Sequence, residues 1–213
     1  MAKMKELTVE QFIDVTASDA PAPGGGSVAA LAGALGMALA EMVANLTIGK
    51  EKYADVDAEM RELIQKSAEI RNELTEGMQK DTESFTAYMK ALKMPKETEE
   101  EKAARREAMQ NGLKEAAVVP LSIAQSAVKI FPIAEIVVEK GNKGAVTDGL
   151  VAAMLARTAV ISALLNVRIN LGSIKDEAFV TEMAAKVKAL EEDAVAYEKK
   201  IMKMSSLTAE IEL

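Results

Sequence analysis

Two runs of small side chains constrain this chain more than any other feature. Ala32, Gly36, Ala40 and Ala44 recur every four residues, and Gly149, Ala152, Ala156, Ala159 and Ala163 repeat at three or four. That spacing puts each set on one face of an α-helix. A face of Gly and Ala lets a second helix lie very close, because side-chain size at the contact sets the distance between helix axes. Two helices with tightly packed neighbours are therefore expected before any other residue is considered.

The rest of the chain fits helices. Apolar residues are 49 % of the 213, but aromatics are only 3 %, with no Trp and 13 Met. The core must be built from Ala, Leu, Ile, Val and Met, most of them good helix formers. Thr8 with Gln11 reads as a capping box opening a first helix, and Thr98 with Glu101 reads as a second. Longer helices are expected over about 27–49, 55–93, 145–171 and 176–204, the last capped by Asp176. A further helix should run from Thr98 toward Pro120, which should kink or break it, as should Pro132. No strand pattern survives. The expected fold class is all-α, a helical bundle with long antiparallel helices, as a single domain over 1–213.

Charge and composition narrow the function. The net charge of −7 and pI of 4.9 speak against nucleic acid as a partner, since phosphate binding needs basic surface. With no Cys and no His, a Cys/His zinc site is impossible and the commonest general base is missing. No metal site is expected, and proton transfer falls to Asp, Glu, Lys or Tyr. The charge-free stretch 28–40 is shorter than the ~18 residues that a membrane span needs, so no membrane association is expected. The start of the chain lacks a long apolar core of the secretory kind, which points to the cytoplasm.

Three constellations can carry chemistry. Pro23, Gly24, Gly25, Gly26 and Ser27 lead into a helix. Glycines admit a ligand close to the backbone, and a helix N-terminus offers unpaired N–H groups; the alternative is a flexible connection with a cap. Asp81 falls in register with Leu74, Met78, Phe85 and Met89, so its carboxylate should turn inward. It is then either a group with a raised pKa poised for catalysis or a structural partner of a neighbouring helix end. Asn166 and Asn170, one turn apart, continue the second small stripe and can read a heterocycle or bridge helices. Asp148 is an N-cap by default. Lys50 and Lys52 are surface charge, or collect an acidic substrate near the glycine loop.

Taken together, these blocks resemble the methenyltetrahydrofolate cyclohydrolase / formiminotetrahydrofolate cyclodeaminase family. The resemblance runs through residues 22–30 and 42–50, Asp81 to Phe85, Val119 with Pro120, Gly141 with Asn142, Thr147 with Asp148, Asn166 to Leu171, and Asp176 to Phe179. It implies an all-helical homodimer acting on a tetrahydrofolate derivative, with no cofactor beyond that substrate. Hydrolysis of 5,10-methenyltetrahydrofolate to 10-formyltetrahydrofolate is the expected reaction. Release of ammonia from formiminotetrahydrofolate is the alternative, and a non-catalytic helical scaffold the second. In this reading Asp81 is the general base, Lys50 an acid or substrate anchor, and Asp148 a holder of the polar network. Gly24, Gly25, Gly26, Ser27, Asn142, Asn166 and Asn170 bind substrate, and a small-residue stripe lies across the dimer interface.

Overall fold

Local chemistry starts the helices where the sequence marks them. Thr8 caps α1 (Val9–Ala17), and Thr98 caps α4 (Glu99–Val128); both form complete capping boxes, with Gln11 and Glu101 reaching back to the cap N–H. Asp176 caps α7 (Glu177–Met202) by accepting from the Phe179 N–H at 3.1 Å. Between them lie α2 (Gly25–Asn45), the 36-residue α3 (Asp57–Leu92), α5 (Ile130–Lys140) and α6 (Val146–Leu171). This computed structural model describes residues 3–208, 210 and 211, and among those there is no strand. The all-α expectation holds.

The centre of the bundle is the α2–α6 pair. Gly25 lies against Asn166, Gly33 against Ala159 and Gly36 against Leu155 across it, so the two helices run antiparallel. α3 lies along α2, α7 along α6, and α4 and α5 cover one side of the pair. The core is aliphatic, with Phe131, Met37, Met60 and Leu74 among its largest fully buried side chains.

The two small-residue stripes face each other inside one chain, which corrects the expectation that one spans a dimer interface. A Cβ added at Gly36 would lie 3.0 Å from the Leu155 Cβ and 3.1 Å from the Ala152 carbonyl oxygen. Ala40, Ala44, Ala152, Ala156, Ala159 and Ala163 are all fully buried. Gly36→Leu should therefore overpack the pair and cost roughly 1–3 kcal/mol or more. At this size that lowers Tm by about 2–4 °C per kcal/mol, to be read in a thermal melt; an unchanged Tm would mean that the pair has slack.

Pro120 does not break its helix. It sits buried inside α4, which continues to Val128. Its missing N–H takes a partner from the Ala116 carbonyl, and the Asn170 Nδ2 donates to that oxygen at 2.9 Å instead. The chain breaks at Lys129, between α4 and α5. Pro132 falls in the first turn of α5, where an N–H would have no helical acceptor anyway.

Three helical stretches, including α2 and α6, are long and apolar enough to cross a membrane by length and composition, with about half of each stretch buried in the protein. The stretch beginning near Val28 is thus part of a 21-residue apolar helix, longer than its charge-free segment indicated.

Candidate active site

The first turn of α2 has no side chain of its own to cap it, because its N-cap is Gly24. α3 supplies the missing acceptor. The Asp81 carboxylate lies near enough to the Ser27 N–H for that group to favour its charged form, and the Ser27 Oγ lies 2.9 Å from its Oδ2. The same hydroxyl is 3.0 Å from the Met78 carbonyl oxygen and 3.2 Å from the Thr82 Oγ1. Asp81 thus bonds a neighbouring helix end and also lines a cavity.

Gly26 makes this contact possible, since any Cβ there would collide with the Asp81 carboxylate. The three glycines are not equivalent. A Cβ at Gly25 would come within 3.0 Å of the Asn166 Nδ2, whereas one at Gly24 would meet nothing within 4 Å. Only Gly25 and Gly26 are required by close approach.

The cavity has a volume of about 220 Å³ and is walled by the three glycines, Asp81, Phe85, Asn166 and Asn170, with Pro21, Ala22, Ser84 and Ala116 completing it. Asn170 spends both of its amide hydrogens on the protein and Asn166 spends one. Asn166 donates to the Ser162 carbonyl at 2.8 Å, and Asn170 to the carbonyls of Ala116 and Asn166. Their Oδ1 atoms are left as acceptors beside the Asp81 carboxylate. The cavity thus offers carboxylate and carboxamide oxygens as acceptors for a ligand edge that presents N–H donors.

Burial raises the Asp81 carboxyl above its usual value, and the Ser27 hydroxyl and backbone N–H beside it pull it partly back. If Asp81 serves as a general base it works deprotonated, and activity should then fall as pH drops through this raised value. Ser27→Ala removes one of the bonds that favour the charged form. The acid limb of kcat/KM should then move to higher pH; a limb that stays in place would show that Asp81 does not govern it.

Lys50, Asn142 and Asp148 are not brought to this cavity. They lie at the other end of α2, about 30 Å away for 21 residues at 1.5 Å each. Lys50 is exposed beyond the C-terminal end of α2, so it does not sit by the glycine loop of its own chain. Its ammonium has no partner among the described residues. Asn142 ties that end together: Nδ2 donates to the Leu46 carbonyl, Oδ1 accepts from the Gly144 N–H, and its own N–H donates to Thr47. Asp148 lies in the first turn of α6, but the N-cap position belongs to Ala145. The expectation that Asp148 caps the helix is corrected.

Phe85 and Ser84 were not among the expected site residues. Phe85 was legible, because four residues past Asp81 means the same helix face. Ala116 and Ala22 carry no signal of their own; only packing brings them to the cavity.

Comparison with known proteins gives this geometry a context. The family described as Formiminotransferase-cyclodeaminase matches residues 8–189. A methenyltetrahydrofolate cyclohydrolase of Methylorubrum extorquens is 43 % identical over 194 residues, covering 91 % of this chain and 93 % of that protein. A formimidoyltransferase-cyclodeaminase of Sus scrofa is 38 % identical over 86 % of this chain, which spans only 34 % of that longer relative. The crystal structure of a formiminotetrahydrofolate cyclodeaminase from Thermotoga maritima superposes with a TM-score of 0.84 at 36 % identity, covering 95 % of this chain and 97 % of that one.

Proposed function

This chain belongs to the formiminotransferase-cyclodeaminase family, and from that membership we propose that it hydrolyses 5,10-methenyltetrahydrofolate to 10-formyltetrahydrofolate. The observation that carries the reading is Asp81, a carboxylate with a raised pKa in a cavity it shares with the glycines, Phe85, Asn166 and Asn170.

The chemistry asks little else of the protein. The methenyl carbon is an amidinium and already electrophilic. Asp81 takes a proton from water as the water oxygen bonds to that carbon. The carbon's bond to N5 then breaks, N5 takes a proton, and one proton is released overall. A tetrahydrofolate derivative is thus the only small molecule invoked, with no further cofactor and no metal. Phe85 offers an aromatic face in the cavity for the pterin ring, and the Asn166 and Asn170 oxygens accept from its N–H edge.

The working protein in this proposal is a single helical domain, a cytoplasmic homodimer, with neither nucleic acid nor a membrane as partner. The acidic balance supports the first exclusion. The alternative reaction on the same scaffold is ammonia release from formiminotetrahydrofolate, and the Thermotoga maritima likeness favours keeping it in the test. Purified protein assayed on both compounds decides between them. Methenyl hydrolysis well above the uncatalysed rate, with no ammonia released, is the expected result. Faster turnover of the formimino compound would replace the cyclohydrolase with a cyclodeaminase. Turnover of neither, with no folate-linked rise in Tm, would leave a scaffold.

A further inference from the structure

The cavity beside Asp81 is incomplete for the ligand proposed above. Its 220 Å³ is below the ~300–1,000 Å³ of sites that enclose a drug-sized ligand. Among the described residues no lysine or arginine lines it, although the glutamate tail of a folate is anionic. The unpaired Lys50 is at the wrong end of α2 to help within one chain.

The surface between those two ends is apolar. Val28, Leu35 and Met42 lie seven residues apart in one line along α2, and Val151, Leu165 and Ile169 lie along α6; all six are exposed, Ile169 at 77 %. α4 and α5 cover the opposite side of the pair, so both lines look outward on the same face. The charges that α2 and α6 carry along their length turn aside. Glu41 pairs with Arg71 of α3, and Arg157 and Arg168 pair with Glu198 and Glu191 of α7. Helices apolar on every side are buried on every side, and a continuous exposed apolar patch marks an interface.

Two copies can meet through this face about a twofold axis in two ways. An axis along the helices keeps like ends together, setting Lys50 by Lys50 and the acidic Asp81 cavities side by side. An axis across them exchanges the ends, so the cation-poor cavity of one copy meets the unpaired cation of the other. Charge complementarity favours the second, because like charges brought together at an interface cost affinity.

We propose that the active site is shared between two copies of this chain, with Lys50 of the partner subunit closing the cavity beside Asp81 and anchoring the anionic tail of the substrate. The proposal rests on the folate reading, and it adds a residue from across the interface to that site. Lys50 here is an anchor, not a proton donor, so Lys50→Met should raise KM by about tenfold or more, a loss of roughly 1.4 kcal/mol of binding, with kcat largely kept.

Two experiments test it. Asp81→Asn and Lys50→Met chains carrying different tags are co-expressed and the heterodimers isolated. In a shared site one cavity of each heterodimer carries both substitutions and the other carries neither. At substrate well below KM, about half the activity of the parent dimer should return. Heterodimers no more active than half of the Lys50→Met homodimer, or a Lys50→Met protein with the parent's KM, would overturn the proposal. The second experiment uses the absence of cysteine in the chain. Ala22→Cys and Lys50→Cys proteins are mixed, allowed to exchange subunits and treated with a short bis-maleimide. Cross-linked dimers between the two variants support the arrangement. Lys50→Cys linking only to itself, a monomer at micromolar concentration, or a monomer that partitions onto phosphatidylcholine vesicles would each overturn it. If the parent turns over neither folate, the functional reading falls by itself, and the cross-link still reports which ends meet.

Discussion

Asp81→Asn should lower kcat for methenyltetrahydrofolate hydration by about 10²–10⁴, the usual worth of a positioned general base, and it should do so without unfolding the protein. The carboxamide keeps the shape and an acceptor oxygen for the Ser27 hydroxyl, so the contact between α3 and the first turn of α2 is kept. The sign of the stability change follows from burial. A carboxyl raised by desolvation contributes fully to stability below the ordinary carboxylate range, and that contribution is lost as pH rises through its folded value. Asn has no charge to bury, so once the parent's carboxyl is ionised the variant should melt no lower than the parent; the gap opens as pH rises through the folded value and stays constant above it. Lost activity with retained or raised Tm is therefore the expected pair. The uncatalysed hydrolysis of the methenyl compound must be subtracted. A variant that keeps more than about a tenth of the parent kcat would clear Asp81 of the role. A higher KM with kcat intact would make Asp81 an anchor for the pterin N–H groups instead.

Gly26→Ala should be the next most damaging change. Its Cβ would occupy space now held by the Asp81 carboxylate, so one of the two must move. Overpacking of this kind costs about 1–3 kcal/mol. A catalytic group displaced by an ångström can cost 10² in rate, and a loss of about that size is expected. Gly24→Ala is the matched control. Its Cβ would meet nothing within 4 Å and its φ of −127° suits any residue, so Tm should stay close to the parent's. Equal losses of stability at 24 and 26 would mean that the loop matters through chain flexibility and not through the Asp81 contact.

The difference between those two glycines shows where sequence reading stops. Three consecutive glycines ahead of a helix mark a loop whose backbone comes close to something. Which glycine touches what depends on α3, some 50 residues away in the chain. Asn170 teaches the same lesson. Beside Asn166 on one helix face it looks like a ligand-reading pair, and both residues do line the cavity. Three of their four amide hydrogens are spent on the protein, however, and one from Asn170 repairs the backbone gap left by Pro120. A proline in α4 and an asparagine in α6 form one structural unit that no local pattern reveals.

The sequence by itself determined the helices, because their causes are local: Thr8 with Gln11, Thr98 with Glu101, Asp176, and apolar residues at helical spacing act within a few residues of one another. It also determined that Asp81 turns inward, since period alone places it among Leu74, Met78 and Phe85. Tertiary structure alone decided that the two small-residue stripes pack on each other within one chain, because spacing says that a partner lies close but not which one. It alone decided, too, that Lys50, Asn142 and Asp148 stand a helix length from Asp81. A 21-residue helix separates its ends by about 30 Å whatever its sequence, and residues from matching sequence blocks become neighbours only where the packing of whole helices brings their ends together.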